Sequence, residues 1–109
     1  MVTAEIAVAL PALVTVVAIG LSAVSMVTDE LRCVDAARVG ARLLARGEDP
    51  GQVRLEVGRQ APRGGRVELD VGRERVRVEV SSAPPPLLRL LGVTAGPRAA
   101  SQAVAELPP

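Results

Sequence analysis

Three places in this chain carry side chains that could do chemistry, and each offers a different kind. Glu5 stands immediately before an uninterrupted run of uncharged residues, Ile6 to Thr28, with no basic residue beside it. A carboxylate there can meet a cation brought by another molecule, or stay solvated where a helix N-terminus favours negative charge. Cys33 is the single cysteine. To act as a nucleophile its thiol needs a depressed pKa and a partner base. Glu68 and Asp70 form a carboxylate pair of the kind that does acid–base work.

Composition removes most of these options. The 109 residues include no His and no Lys, so all 13 basic residues are arginine. Without histidine there is no Ser–His or Cys–His pair. Zinc-ligand spacing, a Walker loop and the Rossmann glycine pattern are also missing, so neither metal nor cofactor is expected and an enzyme is the least favoured class. Cys33 then reads as a small packing residue. It has no intrachain disulfide partner, which leaves an intersubunit disulfide as the minor alternative. Glu68 and Asp70 alternate with apolar residues and read as a solvated strand face. A net charge of +1, arginines interspersed with acids and an absence of aromatic residues argue against nucleic-acid binding. Any core must be built from Val, Leu and Ala.

The elements that position these residues begin with a membrane segment. Ile6 to Thr28 would be roughly 35 Å long as a helix, against a hydrocarbon core of about 30 Å, so it can span with some tilt. Pro11 lies inside it, tolerated in a bilayer where local adjustment satisfies the freed carbonyl. Ala18 and Ser22, one turn apart, are small enough to admit a second helix closely. The run is too long, and too poor in basic residues at its start, for a cleaved secretory signal.

Helical character continues beyond Thr28 in "DELRCVDAARVGARLLARG". Arg32, Asp35, Arg38, Arg42 and Arg46 fall on one side, and Cys33, Ala37, Gly40, Ala41 and Leu44 on the other. The reading is one helix from about Thr3 to Arg46, stopped by Gly47. Residues 1–46 thus form a transmembrane and spine helix, and 47–109 a small α+β domain. "VRLEV" alternates like a strand, but Asp49, Pro50 and Gln52 resemble a capped start and Val53 and Val57 are four apart. A short helix is therefore favoured over 50–60, ended by Pro62 and the Gly64–Gly65 pair. In "RVELDVGRERVRVEV" Val67, Leu69 and Val71 alternate with charges, as do Val76, Val78 and Val80, giving a hairpin over 66–80. A two-residue turn at Gly72–Arg73 would set Asp70 against Arg75, Glu68 against Arg77 and Arg66 against Glu79. A four-residue loop would instead oppose Glu68 and Glu79, so opposite charges favour the tight turn. "APPPLLRLLG" makes a rigid turn and a short apolar segment. For "GPRAASQAVAELPP" propensity favours helix, with a strand over 98–107 as the rival.

"MVTAEIAVALPALV" followed by "LRCVDAARVGARLLARGE" resembles the TadE-like minor pilins of tight-adherence (Flp-type) pilus systems, a branch of the type IV pilin-like proteins. The likeness is strong over about Met1 to Glu48 and loose beyond. It implies a strand over 98–107, closing near Glu106. It further implies a precursor trimmed by a prepilin peptidase, with glutamate left at the fifth mature position. Glu5 is fifth from Met1, which makes Met1 the expected first mature residue after an omitted basic leader. In such filaments this glutamate meets the amine of a neighbouring subunit's first residue. A carboxylate costs about 2.5–3.5 kcal/mol at mid-bilayer on insertion scales, and an ammonium at about 4 Å returns roughly 4 kcal/mol at an effective dielectric near 20.

The expected protein is α+β and non-enzymatic: a minor pilin or pseudopilin-like subunit, single-pass in the cell membrane with its C-terminal domain extracytoplasmic. Its implied partners are other pilin subunits, the prepilin peptidase, an inner-membrane assembly platform and lipid, with no nucleic acid. The alternative is a membrane-anchored envelope protein whose outer domain binds another envelope component without entering a filament. Charge alone points the other way on orientation. The positive-inside rule would hold Arg32, Arg38, Arg42 and Arg46 in the cytoplasm.

Overall fold

The computed structural model describes residues 2–105. Met1 and Glu106, the residues implied at the two ends of the pilin reading, lie outside them. The chain runs α1 (Val2–Ala45), α2 (Pro50–Gln60), β1 (Arg66–Val71), β2 (Arg75–Ser81), α3 (Pro86–Leu90) and β3 (Arg98–Val104). This is the expected α+β arrangement: a long N-terminal helix followed by a small antiparallel sheet and short helices.

α1 is one unbroken helix of 44 residues, and Pro11 sits within it without ending it. Gly47 stops it at φ 84°. The Gly47 N–H donates to the Leu44 carbonyl and the Glu48 N–H to the Leu43 carbonyl. That paired return is the glycine-capped ending in which a left-handed residue satisfies the last carbonyls. α2 has the expected bounds, with Pro50 in its first turn. Its start, however, uses the Asp49 carbonyl as acceptor for the Val53 N–H, and the Asp49 side chain caps nothing.

The three strands form an antiparallel meander in the order β1-β2-β3. α1 packs against β2 and β3, while α2 lies beside α1 and reaches β1. Helices form one layer and the sheet the other. Between them lie Cys33, Ala36, Ala37, Ala41, Leu44 and Ala45 of α1, Val53 and Val57 of α2, and Val76, Val78 and Val80 of β2. Ala99 and Ala103 of β3 pack against the same cluster. Small residues on both sides let the helix axis approach the sheet closely. Gly40 marks the tightest point: a Cβ there would come within 2.7 Å of Val57 and 3.1 Å of Val78.

The expected hairpin register is not the one adopted. Val71 faces Val76, Leu69 faces Val78, Val67 faces Val80, and Glu68 does face Glu79. The loop is therefore the four-residue one, closed by the Gly72 N–H on the Arg75 carbonyl at 2.9 Å. Two causes outweigh the charge matching. The adopted register pairs every apolar residue of β1 with a valine of β2, whereas the tight turn would set Val71 against Glu74 and leave Val80 with no β1 residue opposite. β3 also changes the electrostatics. It brings Arg98 to Glu79 at 2.7 Å, with Arg77 at 3.4 Å from the same carboxylate, so Glu79 is compensated from the other side.

The last segment is a strand, Arg98–Val104, and the helix favoured by propensity does not form. Its alternate residues Ala99, Ser101 and Ala103 are half-buried, and pairing with β2 recovers backbone hydrogen bonds that an isolated short helix would make only marginally. The expected continuation to Leu107 lies outside the described residues.

Candidate assembly surface

The first half of α1 has no partner among the described residues. Its most apolar stretch is wholly unburied, and Ile6, Leu10, Leu13, Val17, Leu21 and Val24 are each at least half exposed. The molecule accordingly measures 80 × 20 × 17 Å, with that half of α1 projecting from the folded unit. Its length and composition are sufficient for a helix to cross a membrane. Two hydroxyls of the projecting half bond back to the helix's own backbone. Thr15 donates to the Pro11 carbonyl at 2.8 Å, and Thr28 to the Val24 carbonyl at 3.0 Å. This is the internal accounting that hydrocarbon demands.

Glu5 lies exposed in the first turn of this helix, where the free N–H groups of the N-terminus favour a carboxylate. Met1, whose amine the pilin reading pairs with Glu5 of a neighbouring copy, is not among the described residues. Ala18 and Ser22 are half-buried on one flank of the projecting half.

Cys33, Ala37, Gly40 and Leu44 occupy a different place. All four are buried in the seam where α1 meets the sheet and α2. Their packing is intramolecular, and they are roughly 40–60 Å along the helix from Glu5. The thiol of Cys33 is fully buried, and burial raises its pKa, with Asp29 and Glu30 adding in the same direction. Every influence on it works against a thiolate, the opposite of what a nucleophile needs. Neighbouring Ala36 and Ala45 join the same seam. Ala36 follows Cys33 by three residues and belongs by helical period to the stripe that was legible in the sequence.

The carboxylate pair Glu68 and Asp70 lies on the solvent face of β1, both exposed. Asp70 is opposite Arg77, and Glu68 opposite Glu79. The acid with a perturbed environment on this face is Glu79, which the sequence did not single out. The Arg98 guanidinium donates to it at 2.7 Å and, aided by Arg77, holds its carboxyl below the usual carboxylate range. Such a group is held ionised and cannot serve as an acid near neutrality. Only the fold of β3 brings Arg98 there. Among the described residues no cluster of three His, Cys, Asp or Glu side chains has metal-holding geometry.

Compared with known proteins, the chain matches no family model, no curated protein and no solved structure.

Proposed function

We propose that this chain is a non-enzymatic, minor pilin-like or pseudopilin-like subunit that takes part in assembling a tight-adherence type pilus at the cell surface. The observation that supports the reading is the projecting half of α1, apolar on every side and bare of partners, with Glu5 at its tip. An apolar surface of that extent needs lipid or other apolar helices around it. A bilayer covers it before assembly and neighbouring subunits cover it afterwards. Glu5 would then meet the first-residue amine of an adjacent copy, while Ala18 and Ser22 would admit a neighbouring helix. In this proposal the outer domain stands extracytoplasmic, and its partners are other pilin subunits, a prepilin peptidase and an inner-membrane assembly platform. No histidine is present to support common nucleophilic chemistry, and Cys33 is sealed in the core.

The rival is a single-pass anchor whose outer domain binds another envelope component. Glu5→Ala separates the two. Under the pilin reading the variant accumulates in the membrane but surface pili are lost or sharply reduced in number, counted by electron microscopy. Piliation at the wild-type level would refute the assembly role of this carboxylate. Mass spectrometry of the mature N-terminus gives the independent check. A trimmed, N-methylated first residue is expected of the pilin and an untrimmed start of the anchor.

A further inference from the structure

The sheet ends on two unlike edges. Gly72 and Arg75 are a hydrogen-bonded pair, so alternation along the ladder turns the backbone groups of Val67, Leu69 and Val71 outward. On that edge the Arg54 guanidinium already donates to the Val67 carbonyl at 2.9 Å, and α2 lies alongside. On the other edge, the Ser82 N–H to Pro97 carbonyl and Ala105 N–H to Glu74 carbonyl bonds fix the phase. Ala99, Ser101 and Ala103 bond to β2, while Arg98, Ala100, Gln102 and Val104 turn their backbone groups outward. All four are exposed, and among the described residues their outward backbone groups have no hydrogen-bond partner. Edges are usually blunted by charge, proline or a bulge. From Ala99 to Val104 this strand carries none of them.

We infer that β3 pairs, antiparallel, with β3 of a second copy of this chain. Centred on Ser101, the pairing sets Ala100 against Gln102 of the second copy, and Arg98 against Val104 of the second copy. Each pair exchanges two N–H···O=C bonds. No like charges face each other, and the two Arg98 residues end roughly 20 Å apart along the ladder. The same operation on β1 would set Glu68 against Asp70 of the second copy, a like-charge pair on an edge that Arg54 occupies. Charge and backbone access therefore both select β3.

The geometry also says where the second copy stands. A two-fold axis normal to the sheet reverses every direction lying in the sheet plane. α1 packs flat on that sheet, so the two α1 helices run oppositely and their apolar halves leave from opposite ends. Copies standing side by side in one bilayer cannot meet this way, whereas copies rooted in two facing membranes can. This last step rests on the membrane-anchored part of the proposed function; the strand pairing does not.

The test reconstitutes the full chain in phosphatidylcholine vesicles, confirms by flotation that it travels with them, and follows vesicle clustering by light scattering. Wild-type vesicles are expected to cluster. Ala100→Glu combined with Gln102→Glu should abolish clustering, and mixing those vesicles with ones bearing Ala100→Lys and Gln102→Lys should restore it. Dispersed wild-type vesicles, or glutamate variants that cluster like wild type, would overturn the facing-membrane pair. If the chain does not float with vesicles, the anchoring reading fails instead. The strand pairing is then judged by sedimentation of the full chain in detergent. A dimer lost in the glutamate variant supports it, and a monomeric wild type or a dimer indifferent to the charges overturns it.

Discussion

Glu79 shows how one side chain's environment is made by two strands, its own and β3. Its carboxyl is held below the usual range first by the hydrogen bond from Arg98, then by the charges of Arg98 and Arg77. A depressed folded-state pKa contributes stability that is present above the unfolded value, about 4.3 for glutamate, and is lost as pH falls through the folded value. Thermal unfolding of the full chain in detergent should therefore show a midpoint that falls as pH drops below about 4.3. In Arg98→Ala that acid limb should be shallower; an unchanged limb would mean the contact is not made in solution. Cys33 behaves in the opposite sense. Its raised pKa leaves the thiol neutral, and its contribution is complete below the unfolded thiol value and lost as pH rises through the folded one. The acid was not legible as special in the sequence, because the hairpin's charges could be compared only across two strands. Arg98 arrives from a segment whose conformation the sequence left undecided.

Among the elements, the α1 seam makes the sharpest demand on side-chain size. A Cβ on Gly40 would press on Val57 at 2.7 Å, and Val57 is a fully buried, β-branched side chain with little room to turn. Gly40→Val should destabilise the domain by about 1–3 kcal/mol, the usual range for overpacking. Gly20, with nothing within 4 Å of its Cβ position, serves as the control, and Gly20→Val should leave the domain's chemical denaturation curve unmoved. The hairpin register has its own measurement. Val71 and Val76 face each other at a position where the pair is not hydrogen-bonded, which brings side chains closest. Val71→Cys with Val76→Cys, in a Cys33→Ala background, should oxidise readily to an intrachain disulfide, and Val71→Cys with Glu74→Cys should not. The reverse result would restore the two-residue turn. Opposite-charge pairs across strands are worth about 0.2–1 kcal/mol each. Burying a whole valine contributes about 1.5–3 kcal/mol, and the adopted register is the one that sets a β1 residue, Val67, across from the fully buried Val80.

At the scale of the whole molecule, one helix has two unlike halves. Its first half is apolar on all sides and bare, and its second half is one-sided, with Arg32, Arg38, Arg42 and Arg46 exposed opposite the buried stripe. The chain should remain in the membrane fraction after alkaline carbonate extraction, as a spanning helix does and a peripherally bound domain does not. Charge placement and the pilin reading assign the arginine-bearing side to opposite compartments. A C-terminal reporter active only outside the cytoplasm should be active in the full-length fusion. An inactive reporter on a fusion that accumulates in the membrane would reverse the orientation and remove the filament proposal with it.

Periodicity by itself determined the long helix, its greasy and one-sided halves and the alternating strands, because each follows from which neighbouring residues share a face. The short helix over 50–60 needed the capping signal of Asp49, Pro50 and Gln52 as well. Gly47 and the Pro62–Gly65 stretch bounded them through local backbone preference. Register, the identity of the last segment and the partners of Glu79 were decided only by the tertiary structure. Those depend on which distant residues meet: Val71 with Val76, Arg98 with Glu79, Gly40 with Val57 and Val78. Local sequence carries no term for such meetings, and their energies exceed the few tenths of a kcal/mol by which local preferences differ.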